Sequence, residues 1–278
     1  MGVTRLPLFC SGDEMVRATW FTDPACPWSW AAEPVRLGLE REAGDQVRWD
    51  VAMSGLWREF GAPAGVALEW LDAAAASGMP VDVRGWLKAP PRSSHPACLA
   101  VCAAAEQGDP TSYLRALRIG FAVTRRRLDS PDPFVEVARE VGLDVDRFQI
   151  DLGSHAILER FGAQLERGRE LTAGRAPRLP ALLVEAPDAE PVFVEAIRAP
   201  NDGSAALIAA GVAPASPAPM PLEWVLERYG PAAVPEVAVL SGLPGPRAAA
   251  ALWQAALQWR ARPVHAGPGG ALWEPASP

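Results

Sequence analysis

Cys26 is followed by Pro27, Trp28 and Ser29 and preceded by Asp23, Pro24 and Ala25. Its thiol is the group in this stretch able to attack an electrophile, and the attacking species is the thiolate. The local pattern bears on how readily that anion forms. Thr19, Trp20 and Phe21 are β-branched and aromatic residues suited to a partly buried strand, and Asp23-Pro24 ends it. Pro27 suits the first position of a helix, where its missing N–H removes a donor that has no partner in any case. The helix is predicted through Trp30, Ala31, Ala32 and Val35 to about Arg41, with Gly44 as its stop. The sulfur of Cys26 therefore falls at a helix N-terminus, where free N–H groups and the helix dipole favour an anion. A lowered pKa is the expectation. The Ser29 hydroxyl is placed to donate to the thiolate and to lower the pKa further.

Those elements need a sheet behind them. Gln46 to Met53 alternates polar and apolar residues, with Val47, Trp49 and Val51 on one face, and predicts a second strand that closes a right-handed strand–helix–strand unit. Ser54, Gly55, Leu56 and Trp57 lead away from it. From about Leu68 to Arg169 the pattern is helical, with apolar residues at Tyr113, Leu114, Leu117 and Phe121 and again at Phe134, Val137, Ala138 and Val141. Turn clusters such as Ser77-Gly78, Ala89-Pro90-Pro91, Gly108-Asp109-Pro110 and Ser130-Pro131-Asp132-Pro133 punctuate it. Strand signals return after Pro180, turn at Pro187 to Glu190, and continue from Pro191 to Glu195. A helix over Asp202 to Gly211 and a Pro/Ala/Ser-rich linker over Val212 to Pro221 follow. Leu222 to Arg228, Val234 to Leu240 and Arg247 to Arg260 read as helices, the last with Ala251, Leu252, Ala255, Ala256 and Trp259 as its apolar face. A Gly-rich hairpin over Arg262 to Trp273 gives this end the outline of a small winged-helix module, expected to pack or to contact protein and too poor in basic residues to read DNA.

The chain has 278 residues, 49% hydrophobic and 21% charged, with a net charge of −7. That suffices for a sizeable core and argues against a general nucleic-acid binder. No stretch reaches the length of a membrane span. The first fifteen residues hold no apolar run of signal-peptide length, and Met1 to Glu14 reads as a loose leader with Cys10 an exposed bystander. Four cysteines in so long a chain are no disulfide framework, and a reducing cytoplasm is the expected location. Three histidines, none at ligand spacing from a cysteine pair, argue against zinc, and no metal is expected. Arg125-Arg126-Arg127 is expected at a solvated helix end.

The wording Asp23-Pro24-Ala25-Cys26-Pro27-Trp28-Ser29-Trp30, with Glu33-Pro34 after it, resembles the DsbA family, in particular its cytoplasmic members with a helical insertion. The resemblance covers roughly Val16 to Gly211. It implies an α/β thioredoxin fold over residues 15–62 and 172–212 and an all-helical insertion over 63–171; the winged-helix-like module read from the element pattern occupies 220–278. It implies that Pro180, within Ala176-Pro177-Arg178-Leu179-Pro180, is the cis-proline facing the active-site cysteine, with the backbone of Leu179 free to pair with a peptide or glutathione strand; Pro177 is the competing candidate. Pro27, Trp28, Leu179, His95 and Cys98 are the implied substrate-facing residues, and Cys26, Ser29 and Pro180 the catalytic set.

Ser29 departs from the family, which usually has a second cysteine there. A serine hydroxyl cannot form the attacking anion that releases a mixed disulfide, so turnover needs an external thiol. The leading expectation is a monothiol oxidoreductase acting on a protein disulfide, a glutathione adduct or a small electrophile. No cofactor is expected to be bound, and glutathione is the candidate co-substrate. Some relatives without the full dithiol are glutathione-dependent isomerases or transferases. Two other readings stay open: Cys26 as a relic, and a non-redox adaptor with a protein partner, as in one branch of the insertion-bearing group. Ser94-His95-Pro96 starts a helix that carries Cys98 and Cys102 on one face, either as small core residues or with Cys98 standing in for the missing resolving thiol. His95 is either a polar group near the site or a local hydrogen-bonding residue.

Overall fold

The structure, a computed structural model, describes residues 15–267 and 270–276, so Cys10 and the leader lie outside the described residues. In chain order the elements are β1 (Val16–Thr22), α1 (Pro27–Ala31), α2 (Glu33–Ala43) and β2 (Val47–Met53). Then come α3 (Pro63–Ser77), α4 (Arg84–Lys88), α5 (His95–Ala104), α6 (Thr111–Ile119), α7 (Pro131–Glu140), α8 (Val145–Leu152) and α9 (His155–Glu170). The chain continues as β3 (Ala181–Ala186), β4 (Ala189–Val194), α10 (Pro200–Ala209), α11 (Leu222–Tyr229), β5 (Ala232–Ala233), α12 (Val234–Leu240), α13 (Gly245–Leu257), β6 (Ala261–Gly267) and β7 (Gly270–Pro275). This is a thioredoxin fold with a helical insertion.

The main sheet has the order β2-β1-β3-β4. β1 runs parallel to β2, with Trp20 beside Val51, and antiparallel to β3, with Trp20 beside Leu182. The two-residue period of a strand sorts the side chains between two layers. Ala18, Trp20, Leu182 and Val184 meet Val35 and Leu39 of α2 and Leu207 of α10 on one face. Phe21, Ala181 and Leu183 lie on the other, together with Cys26 and Leu179. Helices α3 to α9 enclose a separate core that includes Trp70, Trp86, Tyr113, Leu117, Phe134 and Phe148.

Two expectations are corrected. The predicted helix from Pro27 to Arg41 is two helices, broken at Ala32 (φ −89°, ψ 3°). Pro34 has no N–H to give to the carbonyl of Trp30, and its ring crowds that carbonyl, so a continuous helix is excluded. Trp259 is not on the inner face of the last helix: it is 87% exposed, because α13 ends at Leu257 and Trp259 turns the chain through φ +56°. Ala248, Leu252 and Ala255 form the buried stripe instead. The C-terminal module has a small sheet in the order β5-β7-β6 behind three helices, compatible with a winged-helix outline. It is not detached by its linker. Leu37 of α2 enters its core, Arg41 donates to Leu240 O at 2.7 Å and Ala218 O at 2.6 Å, and Gln46 exchanges hydrogen bonds with Ala213 at 2.9 and 3.0 Å.

One buried ion network joins the three parts. Glu33, 1% exposed, pairs with Arg118 of the insertion and with Arg36 at 3.1 Å, and Arg115 stands 3.8 Å away. Arg115 in turn pairs with buried Glu236 of α12 at 2.5 Å and donates to Pro231 O at 2.6 Å. Burial alone would raise the Glu33 carboxyl, but Arg118, Arg36 and Arg115 together hold it at about 2. Burial also lowers the Arg118 guanidinium, which is still charged at neutral pH because an arginine starts so high. Glu33→Gln leaves those guanidiniums without their shared anion, and denaturant titration at neutral pH is expected to show a loss of about 3–5 kcal/mol. Because Glu33 is depressed from 4.5 to about 2, its contribution is complete above 4.5 and disappears as the pH falls through 2, so the gap between the two proteins closes over that window.

Candidate functional site

Cys26 is the residue that caps α1, with extended backbone (φ −79°, ψ 116°), and its Sγ accepts from Ser29 N at 3.4 Å. Opposite it in the same cluster lie Leu179 and Ala181, on either side of Pro180, and the Leu179–Pro180 peptide bond is cis. The structure thus brings Cys26, Ser29, Leu179 and Pro180 to one place. Pro27 is buried at the first helical position, and Trp28 stands half-buried at the rim.

The expected thiolate-favouring environment is overturned. Cys26 is 2% exposed, and burial pushes its thiol above the ordinary value of 9.0. The hydroxyl and N–H of Ser29 and the N–H of Trp28 work in the other direction, while the negative charge of Asp23 adds to the rise. The break at Ala32 limits the helix behind the sulfur to five residues, so there is little aligned dipole to offset desolvation. Ser29 Oγ is buried and has no hydrogen-bond partner within good geometry, although it lies close enough to favour the anion.

Asp23, predicted only to end a strand, is the organising carboxylate of the loop. It is 0% exposed and accepts from Ala25 N at 2.8 Å, Leu56 N at 2.8 Å, Ser94 Oγ at 2.6 Å and Cys98 Sγ at 3.4 Å. These bonds tie the cysteine loop to the Ser54–Trp57 segment and to the start of α5. Of the two readings of Cys98, the geometry favours the small core residue over a thiol facing substrate or Cys26. Cys98 is fully buried in the insertion core, its hydrogen is committed to Asp23, and burial raises it well above the ordinary thiol value. Cys102 gives its hydrogen to Gln164 Oε1 at 3.4 Å and is pushed up by burial to about 12.

The His95 ring does not bond within its own turn: its Nε2 meets Gly55 O at 3.2 Å, a partner 40 residues away, and the ring stands edge-on to Phe161. It also lines a cavity of about 320 Å³ with Leu56, Arg58, Arg169 and Pro177. Leu56 packs against the cluster that holds Cys26, so this cavity adjoins the thiol site.

Two cations near the sulfur left no local signal in the sequence. Arg118 reaches in from the insertion to donate to Thr22 Oγ1. Arg198 lies 4.4 Å over the Trp28 ring and donates to Leu179 O at 3.1 Å. Both are close enough to Cys26 for a thiolate there to stabilise their charged forms. Asp23 had a signal, a carboxylate placed before the proline of the cysteine loop. The two arginines are brought in only by folding. Among the described residues no group of three or more His, Cys, Asp and Glu side chains is arranged to hold a metal ion.

A family model described as thioredoxin matches residues 20–183. The ClpXP adapter protein SpxH of Halalkalibacterium halodurans is 28% identical over 169 residues, 56% of this chain and 55% of that protein. SpxH of Bacillus subtilis is 26% identical, over 57% of this chain and 56% of that protein. The chain therefore spans little more than half the length of these curated relatives. The cytosolic disulfide reductase DsbM of Pseudomonas aeruginosa, also solved with GSH, superposes with a TM-score of 0.58 at 19% identity, covering 69% of this chain and 97% of that one. A protein from Nitrosomonas europaea proposed to be a disulfide isomerase gives 0.62 at 19% identity, covering 70% and 97%. At that identity the likeness is one of fold.

The raised thiol has a direct readout. Alkylation of Cys26 by iodoacetamide, followed peptide by peptide in a mass spectrometer, is expected to accelerate past pH 9.0; a plateau at or below neutral pH would contradict the assignment. Asp23→Ala strips the acceptor from four donors and is expected to cost about 3 kcal/mol in a chemical melt, with Asp23→Asn, which keeps an acceptor oxygen, costing less.

Proposed function

This chain belongs to the thioredoxin family, and from that premise we propose that it is a thiol oxidoreductase using Cys26 as a single nucleophile towards disulfides or glutathione adducts. The observation that carries the reading is the Cys26 sulfur held by Ser29 N at the start of α1 beside the cis Leu179–Pro180 bond.

The chemistry follows from those atoms. Cys26 gives up its proton, and the thiolate attacks one sulfur of the substrate disulfide. A Cys26–sulfur bond forms while the second sulfur leaves with the electron pair of the broken bond and takes up a proton. Ser29 has no thiol with which to attack the mixed disulfide, so a second, external thiol releases Cys26 and departs as the oxidised partner. Glutathione suits that role. The adjoining cavity offers Arg58, Arg169 and His95, and the rim offers Arg198, for the carboxylates of a small peptide thiol. The same reading places the protein in a reducing compartment such as the cytosol, the location of the disulfide reductase DsbM. No helix among the described residues is long and apolar enough to cross a membrane.

A second reading, a binding protein that acts as an adaptor, is favoured by one observation. The C-terminal module is fastened to α2 and to the insertion through Arg41, Arg115 and Glu236, away from the thiol site. The SpxH relatives are named as adapters.

Glutathione-dependent reduction of a glutathionylated peptide separates the two readings. The expected result is turnover in the native protein and none in Cys26→Ala, with the Cys26–glutathione adduct seen by intact mass. Ser29→Cys is expected to supply the resolving thiol, so that one turnover releases the peptide thiol and glutathione without added thiol and leaves a disulfide between Cys26 and the introduced cysteine, whose reduction needs external glutathione for the next turnover. Native protein that forms no adduct, or a Cys26→Ala variant as active as the native chain, would refute the monothiol reading.

A further inference from the structure

β2 is an edge strand, paired with β1 alone. Ser54 N donates towards β1, to Thr22 O at 2.8 Å, whereas Met53 N donates the other way, to the Gln164 side chain of α9 at 2.9 Å. Backbone groups alternate in direction along a strand. Val51 and Trp49 therefore share Met53's orientation, with N–H and C=O pointing out of the sheet edge, and no backbone partner meets them there among the described residues. Gln164 closes the edge at Met53 and leaves it open at Val51 and Trp49.

That open edge runs along a cleft of about 1090 Å³ formed by α2, β2, the start of α6 and the Arg228–Pro231 turn. Its chemistry is one-sided. The buried side-chain atoms on its wall that lack a hydrogen-bond partner are Trp20 Nε1, Trp49 Nε1 and Arg115 Nε, and all of them are donors. Three of its four carboxylates are paired with arginines, Glu40 with Arg36, Asp50 with Arg17 and Glu140 with Arg126, while the fourth, Asp109, accepts from Thr111 and keeps its charge. Arg48 and Arg228 are exposed and form no ion pair among the described residues. The cleft therefore presents the positive charge of Arg48 and Arg228 and the open backbone N–H groups of Trp49 and Val51, on a protein whose net charge is −7.

We propose that this cleft binds an extended acidic segment of a partner protein, added as a further strand outside β2. Trp49 and Val51 supply the ladder hydrogen bonds, and Arg48 and Arg228 receive the carboxylates. The site is independent of Cys26 chemistry, so it stands whether or not the thiol proves reactive.

The test uses the full chain and a fluorescein-labelled hexapeptide of alternating glutamate and valine, read by fluorescence polarisation. The expected result is saturable binding that weakens with added salt and is unchanged by Cys26→Ser. Lysine in place of glutamate is expected to abolish it. N-methylation of the alternate peptide amides that face β2, which leaves the side chains intact, is expected to weaken it about tenfold or more, and Arg48→Glu with Arg228→Glu to do the same. Both arginines are exposed, so an unchanged melting curve will show that the double variant is folded. Absence of saturable binding, equal binding of the N-methylated peptide, or equal binding to the double variant would each overturn the proposal.

Discussion

The architecture depends on the carboxylate of Glu33, which is taken out of water and surrounded by guanidiniums. It lies just after the break behind Cys26, and its partners come from α2 itself and from α6 of the insertion. Through Arg115 the same network reaches Glu236 in the C-terminal module. A buried charge without partners is costly enough to force a rearrangement. The network can therefore exist only when the thioredoxin core, the insertion and the module are all seated, and this makes it a check on correct assembly as much as a source of stability.

Around the thiol, two physical effects compete. The start of a helix and the Ser29 donors favour the anion, while burial and the neighbouring Asp23 disfavour it, and burial prevails. The outcome follows from how the insertion is anchored. Asp23 is fully enclosed because Ser94 and Cys98 of the insertion reach its oxygens. The bonds that fix the cysteine loop in place thus also keep it dry, and burial in such a site disfavours the thiolate.

The open edge of β2 reflects the same division of labour. The insertion covers one end of that edge through Gln164 and stops short of Trp49 and Val51. An uncovered edge is ordinarily a liability that proteins blunt with charge or cover. Here it is recessed in a cleft between three parts of the molecule, where a partner can reach it and a second sheet cannot easily do so.

Much of the fold was legible in the amino-acid order because it rests on short-range rules. The alternation of Thr19, Trp20 and Phe21, the Pro27 helix start, the strand after Pro180 and the long helical stretch without strand signals all express local periodicity and turn chemistry. The cysteine loop and the cis-proline were readable from their wording. Pro34 also carried its message locally, and the break it makes could have been read from the missing N–H alone. What only the tertiary structure decided is the environment of those residues. The burial of Cys26, the conversion of Asp23 from a strand breaker into a four-bond hub, the arrival of Arg118 and Arg198, and the seating of the C-terminal module on α2 all depend on segments far apart in the chain. Desolvation and charge pairing are properties of what surrounds a group in space, and no spacing along the sequence encodes them.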